Sequence, residues 1–197
     1  MILMVSLLLY WRKLIIKIRP AEENDVLAIA NIYVDTWRST YAGILPSKVL
    51  VEMSTERQMV IWARAIRHAK GHAEEKILVI EEKTWGIVGV SSCGFNRDRS
   101  RIYDGEVYTL YIHQDYQNNG YGEIMLANLF KIMIKQGYSN AIIWVLSSNP
   151  SRFFYEAMEG KRIGEREEKL WGKTVREIGY GWSDLAAALE SGKPKSI

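Results

Sequence analysis

The apolar positions in the first part of the chain follow a helical period. Val26, Ile29, Ala30, Tyr33 and Trp37 recur at intervals of three and four residues, which predicts a helix that packs one stripe on a core and ends near Trp37. The aliphatic stretch before it indicates a short strand, and the acidic residues between them suit a helix start. The predicted elements of this part are a strand at Leu14–Arg19 and helices at Val26–Trp37, Pro46–Met53 and Thr55–Lys70.

After Gly71 the pattern changes to runs of β-branched and aromatic residues, which predict strands. One broad apolar helical face interrupts them. The predicted elements are strands at Lys76–Glu82, Gly86–Asn96, Glu106–His113, Ala141–Leu146, Ile163–Leu170 and Thr174–Gly181, and helices at Gly120–Gln136 and Pro150–Met158. This order favours an α/β or α+β domain with a mixed sheet flanked by helices.

Length and composition are those of one globular domain. The chain has 197 residues, of which 48% are hydrophobic and 25% charged, so a core can form without metals or disulfides. Cys93 is the single cysteine, which favours a reducing, cytoplasmic compartment. The 26 basic and 23 acidic residues are spread along the chain, and this distribution argues against a nucleic-acid partner.

The two termini are predicted to lie outside the domain, which we place at residues 14–186. Residues 1–13 are an apolar extension, too short to span a bilayer, and their basic residues follow the apolar run instead of preceding it as in a secretory signal. A first strand, a segment that faces a partner such as a second copy, and an upstream start codon remain open. We expect no stable membrane association. Residues 187–197 are predicted to be a polar tail.

A polar, glycine-containing loop, Gln117 to Gly122, joins a predicted strand directly to a predicted helix. The first N–H groups of a helix have no intrahelical acceptor and the helix dipole is positive there, so such a loop attracts phosphate oxygens. Gly120 and Gly122 allow close approach and positive φ. The alternative is an ordinary tight turn, and neither the nucleotide P-loop nor the dinucleotide fingerprint is present.

Two segments together resemble the GNAT superfamily of acetyl-CoA-dependent acetyltransferases. Gln117, Gly120 and Gly122 match its Gln/Arg-x-x-Gly-x-Gly/Ala loop, and the preceding Tyr108–Ile112 is similar to its bulged strand. The segment from Asn149 to Glu156, followed by Gly160, is similar to the family's later Asn…Phe-Tyr-Glu…Gly motif. The resemblance extends over roughly 15–185. Glu159 departs from it, since glycine is frequent there.

The resemblance implies a mostly antiparallel, splayed sheet and a binding site for acetyl-CoA as co-substrate. In the family pattern, main-chain groups of Leu110 and Ile112 pair with the pantetheine arm, and the loop main chain holds the pyrophosphate. Asn149 either bonds the pantetheine or serves as an ordinary N-cap. The implied coenzyme-binding residues are Leu110, Tyr111, Ile112, Gln117, Asn118, Asn119, Gly120, Tyr121, Gly122, Asn149 and Tyr155.

The reaction that the resemblance implies is direct attack of a neutral amine on the acetyl thioester. An alkylammonium of pKa about 10.4 costs about 4.6 kcal/mol to deprotonate at pH 7, so the site must offset that cost. Glu106 is the first candidate for the base and for acceptor binding; the alternative is a solvent-facing glutamate at a strand end. By the resemblance, Tyr155 donates a hydrogen bond or proton to the departing thiolate; otherwise it packs on the core.

The acceptor pocket is expected around Trp37 and Tyr41, whose aromatic faces suit a cationic amine, although Trp37 also continues the helical stripe. Trp62 fits the core better. We expect no metal, because His68 and His72 lack a third ligand, and no acyl-cysteine at Cys93. The leading hypothesis is acetylation of a small-molecule amine; acetylation of a protein amine and a non-catalytic acyl-CoA sensor are the alternatives.

Overall fold

The computed structural model describes residues 16–72, 74–97, 102–170 and 172–191. The predicted N-terminal extension at 1–13 lies outside these residues. Within them the strands are β1 Ile16–Pro20, β2 Lys76–Glu82, β3 Gly86–Phe95, β4 Gly105–Ile112, β5 Ala141–Leu146, β6 Lys161–Leu170 and β7 Lys173–Trp182. The helices are α1 Val26–Thr40, α2 Ser47–Glu52, α3 Thr55–Gly71, α4 Tyr121–Lys135, α5 Arg152–Ala157 and α6 Leu185–Ser191.

The predicted order of strands and helices is confirmed, with one helix added at the C-terminal end. Residues 187–191 were predicted to begin a polar tail, but they belong to α6. Leu185 is fully buried, and Ala188 and Leu189 pack against the main core cluster. The prediction failed because α6 is short and its apolar residues are mostly alanines, so its helical stripe is weak.

The seven strands form one sheet in the order β1-β2-β3-β4-β5-β7-β6. Neighbouring strands are antiparallel except for β4 and β5, which are parallel. The expected mixed, mostly antiparallel sheet is therefore confirmed. The two halves of the sheet meet only at this parallel pair.

Helices cover the two faces of the sheet unequally. On one face, α4 and α6 pack with side chains of both sheet halves into the largest core cluster. On the other face, α1 and α3 pack against β2 and β3, where Trp62 lies, as expected, in the core. A third cluster joins the end of α1 to Leu146 at the end of β5, and Leu170 and Val175 of the β6–β7 hairpin pack against it. None of the helices in the described residues is long and apolar enough to cross a membrane.

The ends of α4 and α5 close in the same way but with different residues. After α4, Gly137 has a φ of 92° and the N–H of Tyr138 bonds to the carbonyl of Met133. After α5, Glu159 has a φ of 62° and the N–H of Gly160 bonds to the carbonyl of Tyr155. Glycine is the usual residue in this left-handed cap because it has no Cβ, so Glu159 is strained.

Replacing Glu159 with glycine should therefore stabilise the protein. Removing the left-handed strain outweighs the extra entropy of glycine in the unfolded chain, so we expect a gain of about 0.5–1 kcal/mol in the free energy of unfolding, or about 1–4 °C in Tm. Thermal unfolding followed by circular dichroism measures it. The control Lys131→Gly, at an exposed position inside α4, should lower Tm. A lower Tm for Glu159→Gly would contradict the assignment.

Candidate active site

The strands β4 and β5 separate almost as soon as they meet. Their pairing consists of Gly105 with Ala141 and Glu106 with Ile142. On the opposite edge of β4 the pairing with β3 shifts, so that Ser92 faces Thr109, Cys93 faces Val107, and Tyr108 is the extra residue of a bulge. A bulge bends its strand and increases the local twist. The bulged strand that the sequence indicates is thus present, and a cleft opens beyond Glu106.

Main-chain groups of β4 face this cleft at alternate residues. His113 donates its N–H to the carbonyl of Val88 on β3. In an antiparallel ladder every second residue forms such bonds, so the main-chain groups of Tyr111, which is paired with Val90, also point toward β3. Leu110 and Ile112, in between, direct their N–H and C=O groups to the cleft edge. This is the arrangement required to pair with an extended pantetheine arm. Tyr111 can contribute only its side chain to the cleft.

The loop after β4 is held in shape by its own amide side chains. Gln117 donates from Nε2 to the carbonyl of Ile112 at 2.9 Å, and Asn119 donates from Nδ2 to the carbonyl of Gln117 at 3.0 Å. Asn118 and Gly120 have φ values of 58° and 78°, both left-handed. Such a conformation turns successive N–H groups the same way, next to the unpaired first turn of α4 at Tyr121.

The two glycines of the loop serve different purposes. A Cβ on Gly120 would meet nothing within 4 Å, so its positive φ is the reason for glycine, and the space beside it suits a diphosphate. A Cβ on Gly122 would lie 3.3 Å from the ring of Phe154. Gly122 therefore lets α4 approach α5, which brings the phosphate loop next to the segment that carries Tyr155.

Tyr155 lies in the core with its hydroxyl uncommitted. Its side chain is buried, and its ring packs beside Phe154, Tyr180 and Trp182. Among the described residues the hydroxyl has no hydrogen-bond partner, whereas the hydroxyl of Tyr180 donates to Glu156 at 2.6 Å. Burial, with a smaller contribution from Tyr41, raises the pKa of Tyr155, so the phenol stays protonated.

Asn149 connects the coenzyme side of the cleft to the acceptor side. Its Oδ1 accepts the N–H of Ser151 at 2.8 Å, which orders the start of α5. Its Nδ2 donates to the hydroxyl of Tyr41 at 3.0 Å, in a buried contact between residues far apart in sequence. The N-cap residue of α5 is Ser151, so Asn149 bonds the turn before the helix and is not its ordinary N-cap. The bond to Tyr41 is an addition that sequence reasoning missed.

Trp37 and Tyr41 belong to a column of aromatic rings along α1. The ring centroids of Trp37 are 5.3 Å from Tyr33 and 4.5 Å from Tyr41. Trp37 donates from Nε1 to the hydroxyl of Tyr111 on β4 at 3.3 Å. Both Trp37 and Tyr41 are buried in the third core cluster, so Trp37 packs on the core as its helical stripe indicates.

Glu106 is buried, and the alternative of a solvent-facing glutamate is wrong: its side chain is 3% exposed. Arg97 occupies both of its oxygens, donating from Nη2 to Oε1 at 2.5 Å and from Nε and its main-chain N–H to Oε2 at 3.1 and 2.9 Å. The guanidinium also lies over the ring of Tyr108, 4.0 Å from its centroid. To act as a base, Glu106 must first release one of these donors.

Three other residues considered from the sequence, Cys93, His68 and His72, are engaged elsewhere in the described structure. Cys93 is buried and burial raises the pKa of its thiol to about 12, which opposes thiolate chemistry. The rings of His68 and His72 stack on each other at 3.9 Å, and Nδ1 of His72 lies 3.0 Å from the carbonyl of His68.

The chain is similar to known acetyltransferases over most of its length. The model of the acetyltransferase (GNAT) family matches residues 28–160. The uncharacterized N-acetyltransferase YuaI of Bacillus subtilis (strain 168) is 30% identical over 172 residues, which cover 87% of this chain and 95% of that protein.

Solved structures share the fold at lower identity. PaiA N-acetyltransferase from Thermoplasma acidophilum, in complex with coenzyme A, matches with a TM-score of 0.64 at 19% identity. The match covers 83% of this chain and 97% of the PaiA chain. An N-acetyltransferase from Staphylococcus aureus Mu50 matches with a TM-score of 0.65 at 20% identity, over 86% of this chain and 98% of the Staphylococcus chain.

The loop geometry predicts that Gly120→Ala weakens coenzyme binding specifically. Alanine at a φ of 78° costs about 1–2 kcal/mol and shifts the loop N–H groups. Gly86→Ala is the matched control, because Gly86 has a φ of 77° and equally open surroundings but lies in the β2–β3 turn. Both variants should lose a similar amount of Tm, and only Gly120→Ala should lose most of the thermal shift given by acetyl-CoA. An equal loss of shift in both would contradict a phosphate-binding loop.

Proposed function

The chain belongs to the acetyltransferase (GNAT) family and is an acetyl-CoA-dependent N-acetyltransferase, and we propose that its acceptor is the primary amine of a small molecule. The amine attacks the thioester directly while both substrates are bound. The observation that carries this proposal is the separation of β4 from β5, because it leaves one cleft with the coenzyme-binding groups on β4 and an aromatic wall opposite.

The shape of the acceptor side favours a small molecule over a protein. Its aromatic residues Trp37 and Tyr41 are 8% and 7% exposed, so an acceptor must reach below the surface to contact them. A slender amine can do so; a lysine on a folded protein would need a broad, exposed docking surface around the opening. Membership of an acetyltransferase family argues against the sensor alternative.

Tyr155 suits a hydrogen-bond donor to the leaving thiolate. Its hydroxyl is protonated and without a partner among the described residues, and burial makes its hydrogen bond to an anion stronger. A free thiol has a pKa of about 8.5, below that of this phenol, so full proton transfer from Tyr155 to the thiolate would be unfavourable. We assign it stabilisation of the developing charge, and the proton that the thiolate finally takes comes from the amine.

Glu106 remains the candidate for accepting the amine's proton. It is the last β4 residue paired with β5, so its carboxylate lies at the closed end of the cleft. Arg97 lies against this carboxylate as its ion-pair partner. The proton transfer requires the Arg97 side chain, which is 55% exposed, to move aside or to give up one of its bonds.

Tyr155→Phe should separate catalysis from coenzyme binding. Losing one hydrogen bond to a charged group, worth about 1.5–3 kcal/mol, should lower kcat about 10- to 150-fold while the thermal shift with acetyl-CoA is retained. Free-thiol release with a panel of small amines measures kcat. Tyr180→Phe is the control, because its hydroxyl bonds to Glu156 instead, and it should stay within a few-fold of wild type. If no amine gives thiol release from wild type, the proposed acceptor class is wrong.

Glu106→Gln should lower kcat/KM about 10²- to 10⁴-fold if this carboxylate accepts the amine's proton. Glu82→Gln is the control: Glu82 is buried too and accepts the N–H groups of Thr84 and Trp85, away from the cleft. A loss of less than threefold would remove Glu106 from catalysis.

A further inference from the structure

A second arginine lies against an aromatic ring and a partly buried glutamate on the other side of the cleft. Arg166 of β6 donates from Nε to Oε2 of Glu177 at 2.7 Å, and its guanidinium lies over the ring of Trp144, 4.2 Å from the centroid. The arrangement repeats that of Arg97 with Glu106 and Tyr108. One pair belongs to the β3–β4 side of the sheet and the other to the β5–β7–β6 side.

Strand register explains how Arg166 reaches Trp144. Arg166 is paired with Glu177, and Glu177 with Leu146, so these three side chains form one row across the strands. Trp144 is paired with Gly179, one pleat further along. A Cβ on Gly179 would lie 3.0 Å from the indole, so glycine leaves room for the ring to lie flat and for Arg166 to cover it.

This row lies on the acceptor side of the sheet. Leu146 is in the cluster that contains Trp37 and Tyr41, and Val175, on the same face of β7 as Glu177, packs against that cluster. Glu177 also interacts electrostatically with Tyr41. The end of α1 and α2 pack on part of this face through Leu146, Val175 and Leu170, and Arg166 on the same face is 34% exposed.

The guanidinium is fixed and still has free donors. Stacking and the Nε bond restrain its plane, and among the described residues its two terminal nitrogens have no hydrogen-bond partner. The two terminal nitrogens of a guanidinium can bind a carboxylate through two parallel hydrogen bonds. Because this side chain is already restrained, it loses little conformational entropy when it binds. Arg166 is 34% exposed and Glu177 only 14%, so a ligand that arrives from solvent meets the positive charge first. In the other pair, too, the arginine is the more exposed partner, since Arg97 is 55% exposed and Glu106 is 3% exposed.

We propose that Arg166 is a specificity-determining residue that binds a carboxylate of the acceptor, so that the preferred acceptors are amines that also carry a carboxylate, such as amino acids. The inference rests on the proposed small-molecule acceptor. It fits the chemistry of the reaction, because guanidinium groups near the bound amine favour its neutral, nucleophilic form.

The test compares amines that differ only in the carboxylate, with free-thiol release and thermal shift in the presence of coenzyme A as readouts. Suitable pairs are phenylalanine with phenethylamine, lysine with cadaverine, and alanine with ethylamine. The variants are Arg166→Gln, Arg166→Lys and the control Arg162→Gln. Arg162 lies on the same strand, is paired with Tyr180 on the opposite face and forms an ion pair with Glu165.

We expect wild type and Arg162→Gln to prefer the carboxylated member of a pair. Arg166→Gln should raise KM for that member about 10- to 100-fold, with kcat and the descarboxy member little changed. Arg166→Lys should recover part of the loss, since lysine keeps the positive charge but lacks the planar pair of donors that binds both carboxylate oxygens.

Three results would overturn the inference. Equal use of both members by wild type refutes it while leaving the acetyltransferase proposal intact. An equal loss for both members in Arg166→Gln shows a merely structural role. If no small amine is acetylated or shifts Tm, although acetyl-CoA does, the proposed acceptor class fails and the inference fails with it.

Discussion

Two residue pairs, Gly105 with Ala141 and Glu106 with Ile142, hold the halves of the sheet together, and the site depends on how short this junction is. If β4 and β5 stayed paired, the groups of Leu110 and Ile112 would be used within the sheet and no cleft would exist. The bulge at Tyr108 bends β4 just after the junction. On the far face, the core beneath α4 contains side chains of both β4 and β5, so the sheet stays one body although its strands separate.

The polar side chains around this cleft differ in whether they already have hydrogen-bond partners within the protein. Asn149, Gln117 and Glu106 are engaged in hydrogen bonds that shape the site, whereas the hydroxyl of Tyr155 and the terminal nitrogens of Arg166 have no partner among the described residues. Satisfied groups set geometry, and unsatisfied ones are available to a ligand. This difference separates the residues that position the substrates from those we propose to contact them.

Charge is layered in the same way on both sides of the cleft. Glu106 is buried in the sheet, Glu177 is partly buried, and each arginine lies outward over an aromatic ring. Glu106 is buried, and a buried carboxylate without its partner would be costly, so Arg97 contributes to stability as well as to the field at the opening. The bond between Asn149 and Tyr41 adds a direct link between the segment before α5 and the residue that follows α1.

The order of elements, the polar glycine loop after β4 and the family could be inferred from the sequence alone, because these depend on local periodicity and on short motifs. Gly120 and Glu159 show this most clearly, since both have the left-handed backbone that the motif pattern requires. Only the tertiary structure decided the partners of the candidate side chains. Arg97 and Arg166 carry no local motif, and their roles come from strand register and from contacts between distant segments. A sequence pattern indicates which face of a strand or helix a residue occupies. Which partner of an ion pair is the more exposed one on that face is decided by packing.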